Sequence, residues 1–293
     1  MSIHRHQLPF HYGWVIVVCG ILTLFACLGL ARFAYGMLLP AMRDGLQLAY
    51  DQMGYISTAN FSGYLLAVGL SPLAIRRFKP RLTITFGLLL IACCMLVISQ
   101  SNSFLVILFL YSLTGVGSGF ANIPVMVLVS HWFRRERRGR AAGLMVIGNG
   151  AAIVFAGFFI PFLNQQFGDQ GWRIGWISLG LIAICIAGVA ASLLRNDPAD
   201  LGLAPVGSKA ALETEALTTH EPANSGRIIL YLGMLYLVFG ATYMIYGTFI
   251  VTTMVVEFNF AETTAGMFWS WVGFFSLFSG VSFGMLSDRI GRK

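Results

Sequence analysis

"GWVIVVCGILTLFACLGLARFAYGMLL", Gly13 to Leu39, carries a single charged residue, Arg32, in 27 positions. A helix that crosses a bilayer needs roughly 20 mainly apolar residues. The apolar centre of a cleavable signal is only ~7–15 residues long. The stretch therefore reads as a spanning helix and not as a leader. Seven further runs share its character, at 53–75, 82–100, 104–130, 141–163, 174–194, 228–256 and 264–286. Backbone groups in lipid have to be satisfied within their own segment, and barrel strands would be about half as long. All eight runs are expected to be helices. The composition agrees. Hydrophobic residues make up 57% and charged residues 11% of the chain, against about 25% charged in a soluble domain. The fold class is an all-α membrane protein.

Most joints between the runs are short. The exception is 195–227, which is polar, holds Pro198, Pro205 and Pro222, and carries five of the twelve acids. That composition marks a linker. It divides the chain into six helices over 1–194 and two more over 228–293. Lys and Arg are distributed unevenly across these joints. If the N-terminus is cytoplasmic, the inner side holds Arg5, the runs at 76–81 and 134–140, the three basic residues of the linker, and Arg289, Arg292 and Lys293. The outer side holds only Arg43 and Arg173. The bias obeys the positive-inside rule. The expected location is thus the inner (plasma) membrane, multi-pass, with the N-terminus inside. The net charge of +7 is assigned to topology, so no nucleic-acid partner is expected, and nothing in the sequence sets an oligomeric state.

The two parts of the chain resemble each other. "GLARFAYGMLLPAM" from Gly29 superposes on "GATYMIYGTFIVTTM" from Gly240, matching Gly29 with Gly240, Tyr35 with Tyr246 and Gly36 with Gly247. The following helices end in "GLSPLAIRRFKPR" and "GMLSDRIGRK". The latter, Gly284 to Lys293, resembles the signature loop of the major facilitator superfamily, G-x-x-x-D-R-x-G-R-R/K, at Gly284, Asp288, Arg289, Gly291, Arg292 and Lys293. The stretch from "HYGW" to "GLARFAYGMLLPAMRDGL" is similar to the bacterial YbfB/YjiJ-type subfamily. The resemblance implies a helical bundle of the major facilitator type, with about eight of an expected twelve spans present and the C-terminal part cut short. It also implies a cytoplasmic gate at the signature loop. Two features depart from the pattern. Leu73 stands in the first half where Asp288 stands in the second, and "LYSLTGVGSG" in the fourth helix lacks the arginine tied to proton coupling.

Arg32 is the candidate for function. It lies roughly 12 Å inward from Pro40 at 1.5 Å per residue. A charge at the bilayer centre costs about 2.5–3.5 kcal/mol on insertion scales. All twelve acids fall outside the middle of the spans, with Glu257 bordering the seventh. Three readings stand. Arg32 binds an anionic substrate in a central cavity, it is held structurally by carbonyls or by an acid elsewhere, or it snorkels outward. For the first reading, Tyr35 follows Arg32 by three residues, and Tyr243 and Tyr246 repeat that spacing in the seventh helix. The resemblance implies that the first, fourth and seventh helices line a cavity. The candidate substrate-binding set is Arg32, Tyr35, Asn122, Tyr243 and Tyr246, with Asn149, Asn60 and Tyr64 ranked below. A guanidinium fork suits a carboxylate.

Other signals carry no chemistry. "GVGSG" at Gly115 is not a nucleophile elbow, and "GNGAAI" at Gly148 is not a complete dinucleotide fingerprint. The five cysteines lie in apolar runs without metal-ligand spacing. The expectation is a secondary transporter of a small molecule, a small organic anion, working by alternating access, with no cofactor, no metal and no enzymatic activity. Two alternatives stand: a non-transporting membrane protein and a drug or metabolite exporter.

Overall fold

In the computed structural model, residues 11–207 and 225–290 are described, the last eleven and Ser225 by backbone alone. Five continuous helical stretches are long and apolar enough to cross a membrane: Gly13–Leu46, Tyr50–Ile98, Phe104–Trp132, Arg135–Leu193 and Gly226–Glu257. Two of these, 49 and 59 residues long, exceed twice the length that ~30 Å of hydrocarbon requires. Each folds back on itself. In the first, Lys79 takes φ 62° and ψ 159°, and Pro80 withdraws the next N–H from the ladder. In the second, a short 3-10 turn at Gly168–Gln170 intervenes.

The described residues therefore form α1 (Gly13–Leu46), α2 (50–78), α3 (80–98), α4 (Phe104–Trp132), α5 (Arg135–Phe167), α6 (Gly171–Leu193), α7 (Ser225–Thr252) and α8 (Glu262–Ile290). Each expected run has its helix. Several run past the apolar stretch into charged ends, α2 through Arg76 and Arg77 and α5 from Arg135. Among the described residues there is no strand, only an isolated bridge between Phe133 and Val206.

Small residues let the helices approach closely, as they do in lipid, where no hydrophobic drive operates between spans. A Cβ on Gly115 of α4 would overlap the Asn60 carbonyl of α2, and one on Gly148 of α5 would overlap the Ile21 carbonyl of α1. Trp132, Trp172 and Trp176 are fully buried in the core that results. At the basic end, residues 193–206 are pinned across the bundle. Leu193 carbonyl accepts from Tyr12 Oη at 2.7 Å, Arg195 carbonyl from Trp132 Nε1 at 3.0 Å, and Val206 pairs with Trp132 and Arg134 backbone.

Helix α8 packs along α5, Gly157 against Gly266 and Gly150 against Gly273, whereas α7 meets the first six mainly at the opposite end, where polar contacts join both. Tyr50 donates to Glu257 at 2.7 Å, Asn164 to Glu262 at 2.8 Å, and Ser57 bonds Thr248 at 3.0 Å. A Cβ on Gly36 would lie 2.8 Å from the Gly247 carbonyl oxygen. Toward the basic end α7 separates from the bundle, with Tyr236 76% and Leu237 72% exposed.

Candidate functional site

Helix α1 is not α-helical throughout. From Phe25 to Phe33 it forms wide π turns before returning to α geometry at Ala34. Such turns are rare and cluster at functional sites. Arg32 sits near the end of this segment. Its guanidinium carbon lies 4.5 Å from the centre of the Tyr64 ring and 4.8 Å from that of Phe61. The rings present their negative faces to the cation. Nε and Nη2 of Arg32 are buried and have no hydrogen-bond partner in the protein. No described carboxylate pairs with the group.

These two nitrogens share one edge of the guanidinium plane. That edge is the fork that receives both oxygens of a carboxylate. The guanidinium borders a narrow cleft lined by Arg32, Phe33, Ser57, Asn60, Phe61, Tyr111, Met244, Gly247 and Thr248. The free volume is about 10 Å³, the room one water needs, so the cleft is nearly closed in this state. Asn60 is 1% exposed, donates to the Tyr111 carbonyl at 3.0 Å, and leaves Oδ1 buried without a donor. The cleft thus holds two unmatched donors and one unmatched acceptor, beside the paired hydroxyls of Ser57 and Thr248.

The residues singled out from the sequence fall at different distances from this cleft. Asn122 donates to Tyr64 Oη at 2.7 Å and so steadies the ring under Arg32. Tyr243 packs edge-on against Phe33, centroids 6.0 Å apart, at the rim. Tyr35 lies behind Tyr111, ring on ring at 4.8 Å, with its hydroxyl given to the Met53 carbonyl at 3.1 Å. The π turns alter the helical phase, so a spacing of three does not carry it to the cleft with Arg32. Tyr246 is 48% exposed and outside the lining. Asn149 Oδ1 is buried without a partner. Gly284, Asp288 and Arg289 lie on α8, where only the backbone is described, and Gly291, Arg292 and Lys293 lie outside the described residues.

The wall that sequence ranking placed low is α2. Ser57, Asn60, Phe61 and Tyr64 occur at spacings of three and four, and therefore share one face. This polar and aromatic stripe in an apolar helix was the available signal. Tyr111, whose hydroxyl donates to the Arg32 carbonyl at 3.5 Å, gave none beyond its residue type.

Comparison with known proteins gives one picture. A family model described as the Major Facilitator Superfamily matches residues 14–293. "Monocarboxylate transporter 2" of Mesocricetus auratus is 25% identical over 190 residues, covering 64% of this chain and 38% of that protein. "Phosphoglycerate transporter protein" of Salmonella typhimurium is 23% identical over 190 residues, 64% of this chain and 40% of that protein. "Membrane sensor protein UhpC" of the same organism is 24% identical over 205 residues, 70% of this chain and 46% of that protein. The chain thus spans less than half the length of these relatives. Among solved structures, a bacterial homolog of the human lysosomal transporter Spinster, inward-facing and occupied, aligns with a TM-score of 0.72 at 15% identity. It covers 98% of this chain and 63% of that one. A D-xylose-proton symporter aligns with a TM-score of 0.64 at 12% identity, over 94% and 68%. At these identities the likeness is one of fold.

Proposed function

The chain belongs to the Major Facilitator Superfamily, and from that premise we propose that it serves secondary transport of a small organic anion that binds Arg32. The observation that carries this reading is the free Nε–Nη2 edge of a buried guanidinium with no acid beside it. An unmatched buried donor costs about 1–3 kcal/mol, which a ligand carboxylate would offset. The single cation favours one carboxylate over two, and the unmatched Asn60 Oδ1 favours a hydroxyl on the same ligand. A small hydroxy-monocarboxylate fits best. Relatives named for monocarboxylates and phosphoglycerate point the same way, toward anions.

In this reading Arg32 is the anchor, Asn122 acts through Tyr64, and Tyr243 closes the rim. Tyr35 supports Tyr111 from behind, and Tyr246 plays its part only if α7 turns toward the cleft during the cycle. The helices rock about the site in two units, 1–194 and 228 onward, joined by the 195–227 linker, with Gly284, Asp288, Arg289, Gly291 and Arg292 as the inner gate. The Lys and Arg bias supports a cytoplasmic N-terminus and an inner-membrane location. The resemblance of the "HYGW" and "GLARFAYGMLLPAM" stretches supports membership of the YbfB/YjiJ-type subfamily.

The test is uptake of labelled lactate-sized hydroxy acids into vesicles bearing the protein. Arg32→Gln is expected to abolish uptake while leaving the protein folded by gel filtration; unchanged uptake would remove the binding role. One relative named as a sensor supports a second reading, anion sensing without transport. Binding at Arg32 with no uptake by the wild-type protein would favour it.

A further inference from the structure

Where α2 ends and α3 begins, the outer surface of the bundle carries an apolar groove of about 470 Å³, the size of a small-molecule site. Ala74 and Phe78 form one wall, Leu82, Phe86 and Leu89 run along α3, and Phe120 closes it from α4. Phe78, Leu82 and Phe86 are 57%, 59% and 57% exposed, so the groove faces outward from the bundle. Thr83 and Thr85 also line it, but their hydroxyls turn back onto the Lys79 and Arg81 carbonyls at 2.9 Å each. Its interior offers a ligand no polar handle.

Its mouth is charged. Arg77 lies one helical turn from Ala74, and Arg76 and Lys79 flank it. All three are exposed, and none meets a described carboxylate. Arg81 differs, since its guanidinium is spent on the Ala191 carbonyl. From Leu82 to Leu89 along α3 the groove runs roughly 10 Å at 1.5 Å per residue, about a third of a ~30 Å hydrocarbon core. A groove that enters one leaflet, apolar within and cationic at its headgroup end, has the chemistry of one lipid.

We propose that this groove seats an acyl chain of an anionic phospholipid, with the lipid phosphate among Arg76, Arg77 and Lys79. A zwitterionic lipid fits the groove equally well, but its ammonium cancels the complementarity with three unpaired cations. Topology alone explains basic residues at this end of the helices, and the run at 134–140 is such a case. The groove distinguishes the 76–79 run from it. The inference is independent of what Arg32 binds.

The test is native mass spectrometry of the purified protein offered equal amounts of dioleoyl phosphatidylglycerol and dioleoyl phosphatidylcholine. Wild-type protein is expected to retain the glycerol lipid about tenfold or more over the choline lipid, from the attraction of basic residues to anionic headgroups. The variant Arg76→Gln/Arg77→Gln/Lys79→Gln should bring the two near parity, while Arg137→Gln/Arg140→Gln keeps the preference. Filling the groove by Ala74→Trp should lower retention of both lipids. Equal retention by the wild type would overturn the proposal, as would a preference that survives the triple substitution or is lost in the 137/140 control. Retention unchanged in a folded Ala74→Trp variant would place the chain elsewhere and would overturn it too.

Discussion

Arg32 sits at membrane depth because two aromatic faces of α2 share its charge, at 4.5 and 4.8 Å, and they leave one edge of its guanidinium plane free. Cation–π attraction contributes about 0.5–2 kcal/mol where water is scarce. Tyr64→Ala is therefore expected to weaken anion binding roughly 3- to 30-fold. Tyr64→Phe keeps the ring, gives up only the Asn122 bond, and should change binding no more than about fivefold. Titrating labelled ligand against each variant checks this; equal losses in the two would mean that the hydroxyl and not the ring matters. Arg32 itself was legible in the sequence, because a lone charge in a long apolar run stands out. Its surroundings were not. Helix periodicity pairs Arg32 with Tyr35, and only the π turns at Phe25–Phe33 show why Tyr35 ends on Met53 and Tyr111 instead.

At the scale of the element, helix count and order follow from run lengths, since lipid admits only internally bonded segments. The breaks between them are less visible. Lys79 takes φ 62° and ψ 159°, a region that side chains other than glycine enter at a cost of about 1–3 kcal/mol. The preceding run gives no sign of this beyond Pro80, whose ring disfavours helical backbone in the residue before it. Lys79→Gly should accordingly stabilise the protein by about 1 kcal/mol, after allowing for glycine's greater freedom when unfolded. A higher midpoint in thermal unfolding in detergent would bear this out. A lower midpoint would mean that the lysine side chain holds the turn. Close helix approach was legible only as a surplus of glycine. Which glycine meets which backbone, as Gly115 meets Asn60, depends on rotational phase, which composition does not carry.

Across the whole molecule, α8 packs along α5 from Gly157–Gly266 to Gly150–Gly273, while the polar contacts that tie α7 and the start of α8 to α1–α6 cluster at the end away from the basic runs. Tyr50–Glu257, Asn164–Glu262 and Ser57–Thr248 all lie there. That side of the cleft is closed in this state, and the other has α7 standing apart. An alternating-access cycle has to part Ser57 from Thr248. The pair Ser57→Cys/Thr248→Cys should cross-link under mild oxidation and stop uptake, with recovery on reduction. Uptake that continues with the bond formed would exclude that hinge of motion.

Equilibrium binding of a labelled small hydroxy-carboxylate, set beside its uncharged primary amide, addresses the anion site most directly. The carboxylate is expected to saturate the wild-type protein and to lose at least about tenfold in affinity with Arg32→Gln, the share of a charge-assisted hydrogen bond, while the amide binds neither protein. Equal affinity of wild type and Arg32→Gln for the carboxylate, or equal affinity of the wild type for acid and amide, would contradict a guanidinium-anchored anion.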